Sequence, residues 1–232
     1  MAGIAAVEDL KASPSNEIYD KAPYYDEYAG VKYHDAHKSI LVWALDHPSS
    51  EPVLDWFSLK VPRLTPGNRV LRRISKQLRV WMGEELGISA VSLSYQIELG
   101  GAFLKDAAAL AGLGVIGKNN LLVTPEFGSH VRLRGISLEA KLEPTGPTGY
   151  DPCNGCDRRC HSSCPRGAFR SGSYERALCK IEIDQNNAEP EILGGSIMGI
   201  DEDCEAVKYC RNCEFACPVS AQHQLGGGSA GT

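Results

Sequence analysis

CNGCDRRCHSSCP, the segment from Cys153 to Pro165, packs four cysteines into twelve residues and ends on a Cys-Pro pair. A sparser version, CRNCEFACP, runs from Cys210 to Pro218, and these two groups hold seven of the nine cysteines, with Cys179 and Cys204 between them. The opening sequence MAGIAAVEDLKASPSNEIYD has neither a basic n-region nor a twin-arginine pair, so the expected compartment is the reducing cytoplasm. There, clustered thiols serve as metal ligands rather than as a disulfide framework. The sequence around them is short of aliphatic residues and buries little core, so the segment must be held by what its thiolates bind.

Spacing separates the candidate metals. Zinc ribbons use pairs of C-x2-C knuckles. Paired four-iron clusters, as in bacterial ferredoxins, use C-x2-C-x2-C-x3-C-P, with three thiolates on one cubane and the fourth on the other. Cys153, Cys156, Cys160 and Cys164 follow the second pattern with one extra residue between the second and third cysteines, and Cys210, Cys213 and Cys217 repeat its C-x2-C-x3-C-P part. Two [4Fe-4S] clusters are therefore expected. Crossed wiring assigns Cys153, Cys156, Cys160 and Cys217 to one, and Cys164, Cys210, Cys213 plus either Cys179 or Cys204 to the other. His34, His37, His161 and His223 are lone histidines of the kind that is more often a surface or internally satisfied residue than a ligand.

The rest of the chain reads as an α/β layer structure running to about Leu142. HKSILVWALDH (His37–His47) is an unbroken apolar run, the pattern of a strand covered on both faces. In TPGNRVLRRISKQLRVWMGEELG (Thr65–Gly87) apolar residues recur at helical spacing, Thr65 caps, Pro66 takes the first position and Gly87 follows the end. ISAVSLSY (Ile88–Tyr95) reads as a strand, AFLKDAAALAGLG as an alanine-rich helix ending at Gly112 or Gly114, and NNLLVTPEFG and HVRLRGISLEAKL as two further strands. Residues 1–30 show no clear period and are expected to be an arm or lid, EPTGPTGYDP is a turn-rich linker, and residues 223–232 form a flexible tail. Arg132 and Arg134 alternate on one face of a strand and read as a solvated or anion-facing edge. A net charge of −5 argues against a broad nucleic-acid footprint, and the short cluster RVLRRISKQLR reads as the solvated face of its helix. No apolar run approaches the roughly 20 residues of a membrane span.

Gly112, Gly114 and Gly117 spell G-x-G-x-x-G, but a helix precedes them and a strand follows, the reverse of a dinucleotide-binding turn. These glycines let backbone approach something closely, whether a packed helix or a large flat cofactor. The string AGLGVIGKNNLLVTPEFGS (Ala111–Ser129), with HKSILVWALDHP ahead of it and the cysteine groups after it, resembles the cobalamin-dependent epoxyqueuosine reductases and their relatives, the reductive dehalogenases. The likeness runs from about Lys38 to Ser220. It implies a nitroreductase-like corrinoid domain over residues 31–145 and a ferredoxin-like domain with two [4Fe-4S] clusters over 150–222. The corrinoid would be bound base-off, in agreement with the absence of a D-x-H-x-x-G string. The resemblance further implies that Gly112, Gly114, Gly117, Lys118 and Asn119 lie against the corrinoid. Glu98, thirteen residues before Ala111, would take the place of the family's catalytic aspartate and protonate a departing oxygen, with Tyr95 a second donor. It favours Cys179 over Cys204 as a ligand, because LCKIEID resembles the cysteine-containing strand ahead of the family's second group.

The expected activity is reductive elimination or deoxygenation of a small or nucleoside-like substrate, with electrons from ferredoxin or flavodoxin. Transfer RNA is not favoured as a partner, given the acidic balance and a chain shorter than the reductases. The alternatives are an electron-transfer protein that activates a corrinoid held elsewhere, and a flavin in place of cobalamin.

Overall fold

The computed structural model describes residues 1–15, 33–60, 64–94, 97 and 101–220, so Tyr95, Glu98 and His223 lie outside the described residues. The chain divides into two compact units whose segments interleave along the sequence. One comprises Met1–Leu45, Leu71–Ile116 and Leu133–Tyr150, and the other Asp46–Val70, Gly117–Arg132 and everything from Asp151 onward.

The first unit is built on a four-stranded sheet of order β1-β2-β7-β4. β2 (Ser39–Asp46) is the apolar run anticipated from the sequence, and Ile40, Val42, Trp43 and Ala44 are all buried, as a strand covered on both faces requires. β7 spans Val131–Leu138, and β4 (Ala90–Ser92) pairs antiparallel with it, Ala90 opposite Leu138. β4 is shorter than the eight-residue strand expected there. At the other edge, β1 (Ala2–Ala6) pairs antiparallel with β2, Ala2 opposite Trp43. The sequence alone places these residues in an arm, and the structure pairs them into the sheet instead. Their small side chains carry little periodic signal, and the edge position depends on Gly3, where a Cβ would fall 2.6 Å from both Ala111 O and Thr145 Oγ1. α1 (Val7–Lys11) follows β1 and buries Val7 and Leu10.

α2 (Pro66–Leu86) sets Leu71 and Met82, with Ile74 and Leu78 partly buried, against Trp43, Ile136 and Leu138. Each fully buried side chain of this kind contributes about 1.5–3 kcal/mol. The helix ends are as the sequence predicts: Thr65 Oγ1 accepts the Asn68 amide at 3.0 Å, and Gly87 has φ +64. α3 (Leu104–Leu110) packs on β1 through Ala107 and Ala108, both fully buried. Its exit is fixed by Gly112 at φ +77, where a Cβ would meet Gly146 Cα and Thr145 O at 3.1 Å. Thr145 Oγ1 accepts from Ile4 N at 2.9 Å and donates to Ala111 O at 2.6 Å, tying this turn to β1.

β5 (Val115–Ile116) leads into the second unit and β6 (Leu122–Val123) lies within it. β3 (Phe57–Ser58), β8 (Glu191–Leu193) and β9 (Cys204–Val207) form a sheet of order β3-β9-β8, with Phe57 opposite Val207 and Leu193 opposite Cys204. Its small core is Met198, Cys204 and Ala206, covered by Val53, Trp56, Leu193 and Ile200. The helices are α4 (Arg159–Ser162), α5 (Arg176–Ala188), α6 (Gly195–Met198) and α7 (Asn212–Phe215). α5 has no buried residue, so apolar packing does not hold it. It is tied down by polar contacts, among them an Arg166–Glu182 ion pair at 2.7 Å and hydrogen bonds from Cys210 N to Asn186 Oδ1 at 2.8 Å and from the Tyr209 hydroxyl to Asn187 Oδ1 at 2.9 Å, together with whatever Cys179 binds. The cysteine segment therefore draws its scaffold from Asp46–Val70 and Gly117–Arg132 rather than standing alone.

Candidate metal centre

Cys153, Cys156, Cys160 and Cys217 gather around one cavity of about 330 Å³, lined also by Asn119 and Val123. Gly155 (φ +68) and Arg158 (φ +56) take up the extra residue of this group, letting the chain turn into α4 so that Cys160 is buried. Backbone amides serve the sulfurs: Lys118 N donates to Cys153 Sγ at 3.4 Å and Arg158 N to Cys156 Sγ at 3.4 Å. The Cys160 thiol is pushed up to about 11, first by burial and then by the nearby thiolates of Cys217, Cys156 and Cys153.

The remaining thiols form a second group. Burial pushes Cys213 up to about 12, and Cys210, Cys179, Glu214 and Cys164 add to the rise. Burial likewise raises Cys210, with Glu182, Cys164 and Cys179 as like-charged neighbours. Ala168 N donates to Cys164 Sγ at 3.3 Å, and Cys210 N donates to Asn186 Oδ1 on α5 at 2.8 Å. Cys179 is carried on α5, a helix where the sequence comparison implied a strand, and reaches this group all the same. Cys204 is 4% exposed inside the Met198–Ala206 core.

Two sets of four thiols thus stand within mutual electrostatic reach. Four thiolates crowded this way repel one another and need a multiply charged cation, and amide N–H donors aimed at sulfur suit clusters of iron and sulfide. Among the described residues no group of three or more His, Cys, Asp or Glu side chains forms a site for a single metal ion. The donor chemistry fits [4Fe-4S] clusters.

The residues nominated for a corrinoid are placed differently. The close approach at Gly112 is to Thr145 and Gly146, and at Gly117 a Cβ would meet Val123 Cγ2 at 2.8 Å, Asn119 Oδ1 at 3.0 Å and Cys153 Sγ at 3.5 Å. Gly114 is buried. Lys118 Nζ donates to the Cys153 carbonyl at 3.3 Å, and buried Asn119 donates from Nδ2 to the Cys213 carbonyl at 3.4 Å. These contacts go to chain and to cysteine loops. His161 Nε2 donates to Lys118 O at 2.9 Å, its ring stacked on Phe169 at 4.6 Å, while His34 and His37 stack on each other at 4.6 Å.

Sequence reasoning missed a buried ionic network in this unit, although it had one of the network's members as an anion-facing residue. Arg132 stands on β7, an inner strand of its sheet rather than an edge, and it does face anions: its Nε lies 2.7 Å from Asp55 Oδ1, and its two terminal nitrogens each lie 3.2 Å from the Glu214 carboxylate. Arg134 is also buried. Arg211 Nη1 reaches Asp55 Oδ2 at 2.6 Å, its Nε donates to Glu214 Oε2 at 3.0 Å, and its Nη2 pairs with Glu214 and donates to His47 O at 3.1 Å. His47 Nδ1 lies 2.9 Å from Asp55 Oδ1. Burial opposes the charge on Asp55, but the His47 hydrogen bond and the Arg132 and Arg211 guanidinium groups hold its carboxyl below the usual range. The available signal was Arg211 and Glu214, charged residues set inside and beside a cysteine group.

No protein-family model matches the chain. An epoxyqueuosine reductase of Gloeobacter violaceus is 37% identical over 163 residues, covering 69% of this chain and 48% of that protein. The chain spans half or less of the length of the curated relatives that match it. Among solved structures, epoxyqueuosine reductase with an epoxyqueuosine-modified tRNA-Tyr stem loop superposes at a TM-score of 0.63 with 20% identity, over 95% of this chain and 61% of that one. A reductive dehalogenase described as acting by B12-dependent dehalogenation superposes at 0.50 with 22% identity, over 72% of this chain and 23% of that one. Mixed α/β architecture and these likenesses define a relative of reductases that share this fold. Within that group the chain is a homologue of the epoxyqueuosine reductases.

Proposed function

We propose that the chain is an iron–sulfur reductase of the epoxyqueuosine reductase type, holding two [4Fe-4S] clusters and working with a base-off corrinoid to deoxygenate a nucleoside-like substrate. The observation that carries this reading is the partition of eight cysteines into two groups of four, Cys153, Cys156, Cys160, Cys217 and Cys164, Cys179, Cys210, Cys213. The homology adds the corrinoid and the substrate class, and the domain division proposed is nitroreductase-like for 31–145 and ferredoxin-like for 150–222.

When bound, the clusters supply single electrons and the corrinoid supplies a strongly reducing cobalt centre. The chain's own part is to hold and separate the groups. The amides of Lys118, Arg158 and Ala168 donate to thiolates, which favours the reduced, more negative cluster. Asn119 lines the cavity of the first group and bonds the Cys213 carbonyl of the second, so it sits between the two. Removing an epoxide oxygen as water takes two electrons and two protons. Ferredoxin or flavodoxin would deliver the electrons singly, and Glu98, assisted by Tyr95, would deliver a proton, for which its carboxyl must be desolvated enough to hold one near neutral pH. No described helix is long and apolar enough to cross a membrane, and the proposed setting is the cytoplasm.

The test is anaerobic reconstitution with iron and sulfide, titration with cobalamin followed by visible and EPR spectra, then incubation with free epoxyqueuosine nucleoside and with its tRNA stem loop under reducing conditions. Stoichiometric base-off Co(II) and a product lighter by one oxygen are expected. Full iron loading without cobalamin retention overturns the enzyme reading and leaves an electron-transfer protein.

A further inference from the structure

Asp55, Glu214, Arg132 and Arg211 form a closed ring of two carboxylates and two guanidinium groups, with His47 bonded to its Asp55 corner. Buried charges are a poor means to stability, because desolvation offsets much of their attraction and apolar residues of similar volume do as well. What a bidentate ring does provide is a fixed position and a fixed field. The position it fixes is distinctive. Arg211 lies between Cys210 and Cys213, and Glu214 directly follows Cys213 on α7, a single turn of helix too short to hold itself. The Ser129 hydroxyl donates to the Glu214 carbonyl at 3.2 Å, anchoring the same turn to the 117–132 segment. Asp55, Glu214 and Arg211 are all 9% exposed or less, so their charges act on the neighbouring thiolates with little screening.

Reduction adds one electron to a cluster, and the local charge decides how easily it is accepted. We propose that this ring is a positioning network that sets the reduction potential of the cluster held by Cys164, Cys179, Cys210 and Cys213, balancing two cations against two anions beside it. Neutralising an acid leaves a net positive charge and makes that cluster easier to reduce. Neutralising a base does the opposite. The inference rests on the iron–sulfur reading given above.

The experiment is an EPR-monitored redox titration of both clusters in anaerobically reconstituted Glu214→Gln, Arg132→Gln and Arg132→Lys chains. Glu214→Gln is expected to shift one midpoint potential upward and Arg132→Gln to shift the same one downward, each moving the other cluster less, and Arg132→Lys, which keeps the charge, to restore the native value. Shifts of the same sign in the two neutralised variants, or unmoved potentials, overturn the proposal, since loosened packing exposes a cluster without regard to the sign of the charge removed. Arg132 is the least buried member, with 28% of its side chain exposed, so its two variants carry the test if Glu214→Gln does not fold. A chain that takes up no iron refutes the underlying cluster reading instead.

Discussion

Gly67 and Gly83 lie in the same helix, α2, and the same replacement at each is expected to act in opposite directions. In an exposed helix interior, Gly→Ala stabilises by about 1 kcal/mol through backbone entropy. Gly83 is such a site: it is exposed, and a Cβ there would meet nothing within 4 Å. At Gly67 a Cβ would stand 2.5 Å from His47 Nε2, nearer still to Cε1, and 2.9 Å from the Leu54 carbonyl. The imidazole must retreat by about 1 Å, an overpacking cost of about 1–3 kcal/mol. It is fully buried and bonded to Asp55 at 2.9 Å, so retreat also strains a charged hydrogen bond of about 1.5–3 kcal/mol. Against the helical gain, Gly67→Ala should cost about 2–4 kcal/mol while Gly83→Ala gains about 1. Urea melts of the two variants, each reconstituted with iron and sulfide, measure both. A Gly67→Ala chain as stable as the parent would refute the packing of His47 on the first turn of α2, and with it one support of the ionic ring.

Stability should depend on pH through two buried imidazoles. Burial, with His34 as a second cause for His37, holds His37 and His130 below their usual range, so the unfolded chain binds their protons first as pH falls. Their contribution is complete above about pH 6.5 and is lost as pH drops toward the folded values, so the urea midpoint at pH 5.5 should lie below that at pH 7.5. A flat or rising profile toward acid contradicts this. Arg158 holds φ +56, a left-handed conformation that costs an ordinary residue about 1–2 kcal/mol, so Arg158→Gly should stabilise by about 0.5–1 kcal/mol after the added unfolded-state entropy, read as a higher Tm. α2 carries Arg72 and Lys76 four residues apart and no acid in its first turn. Arg72→Glu replaces a like-charged pair by an attractive one and should gain about 0.5 kcal/mol at low salt, a gain that salt removes.

Much of the architecture is legible because its signals are local. The burial of β2 follows from an unbroken apolar run, the ends of α2 from Thr65, Pro66 and Gly87, and the gathering of Cys153, Cys156, Cys160 and Cys217 at one cavity from their spacing. The features that escaped are those made by distance along the chain. Arg211 meets His47 across 164 residues and Arg132 meets Glu214 across 82, and no periodicity links such positions. Cys179 and Cys204 differ in the same hidden way: one sits on a helix without buried residues, the other in a strand that supplies core, a difference no spacing announces. The edge strand β1 was hidden by the sequence AGIAA, whose small residues fit a close approach but announce no period.

The partition of the cysteines is the claim on which the rest depends, and iron and sulfide counts on three anaerobically reconstituted chains test it most directly. The parent and Cys204→Ala chains should each take up about eight irons, and Cys179→Ala about four, with the EPR signal of one cluster retained. Loss of a cluster from Cys204→Ala with full loading of Cys179→Ala, or zinc in place of iron in the purified parent, would contradict the account.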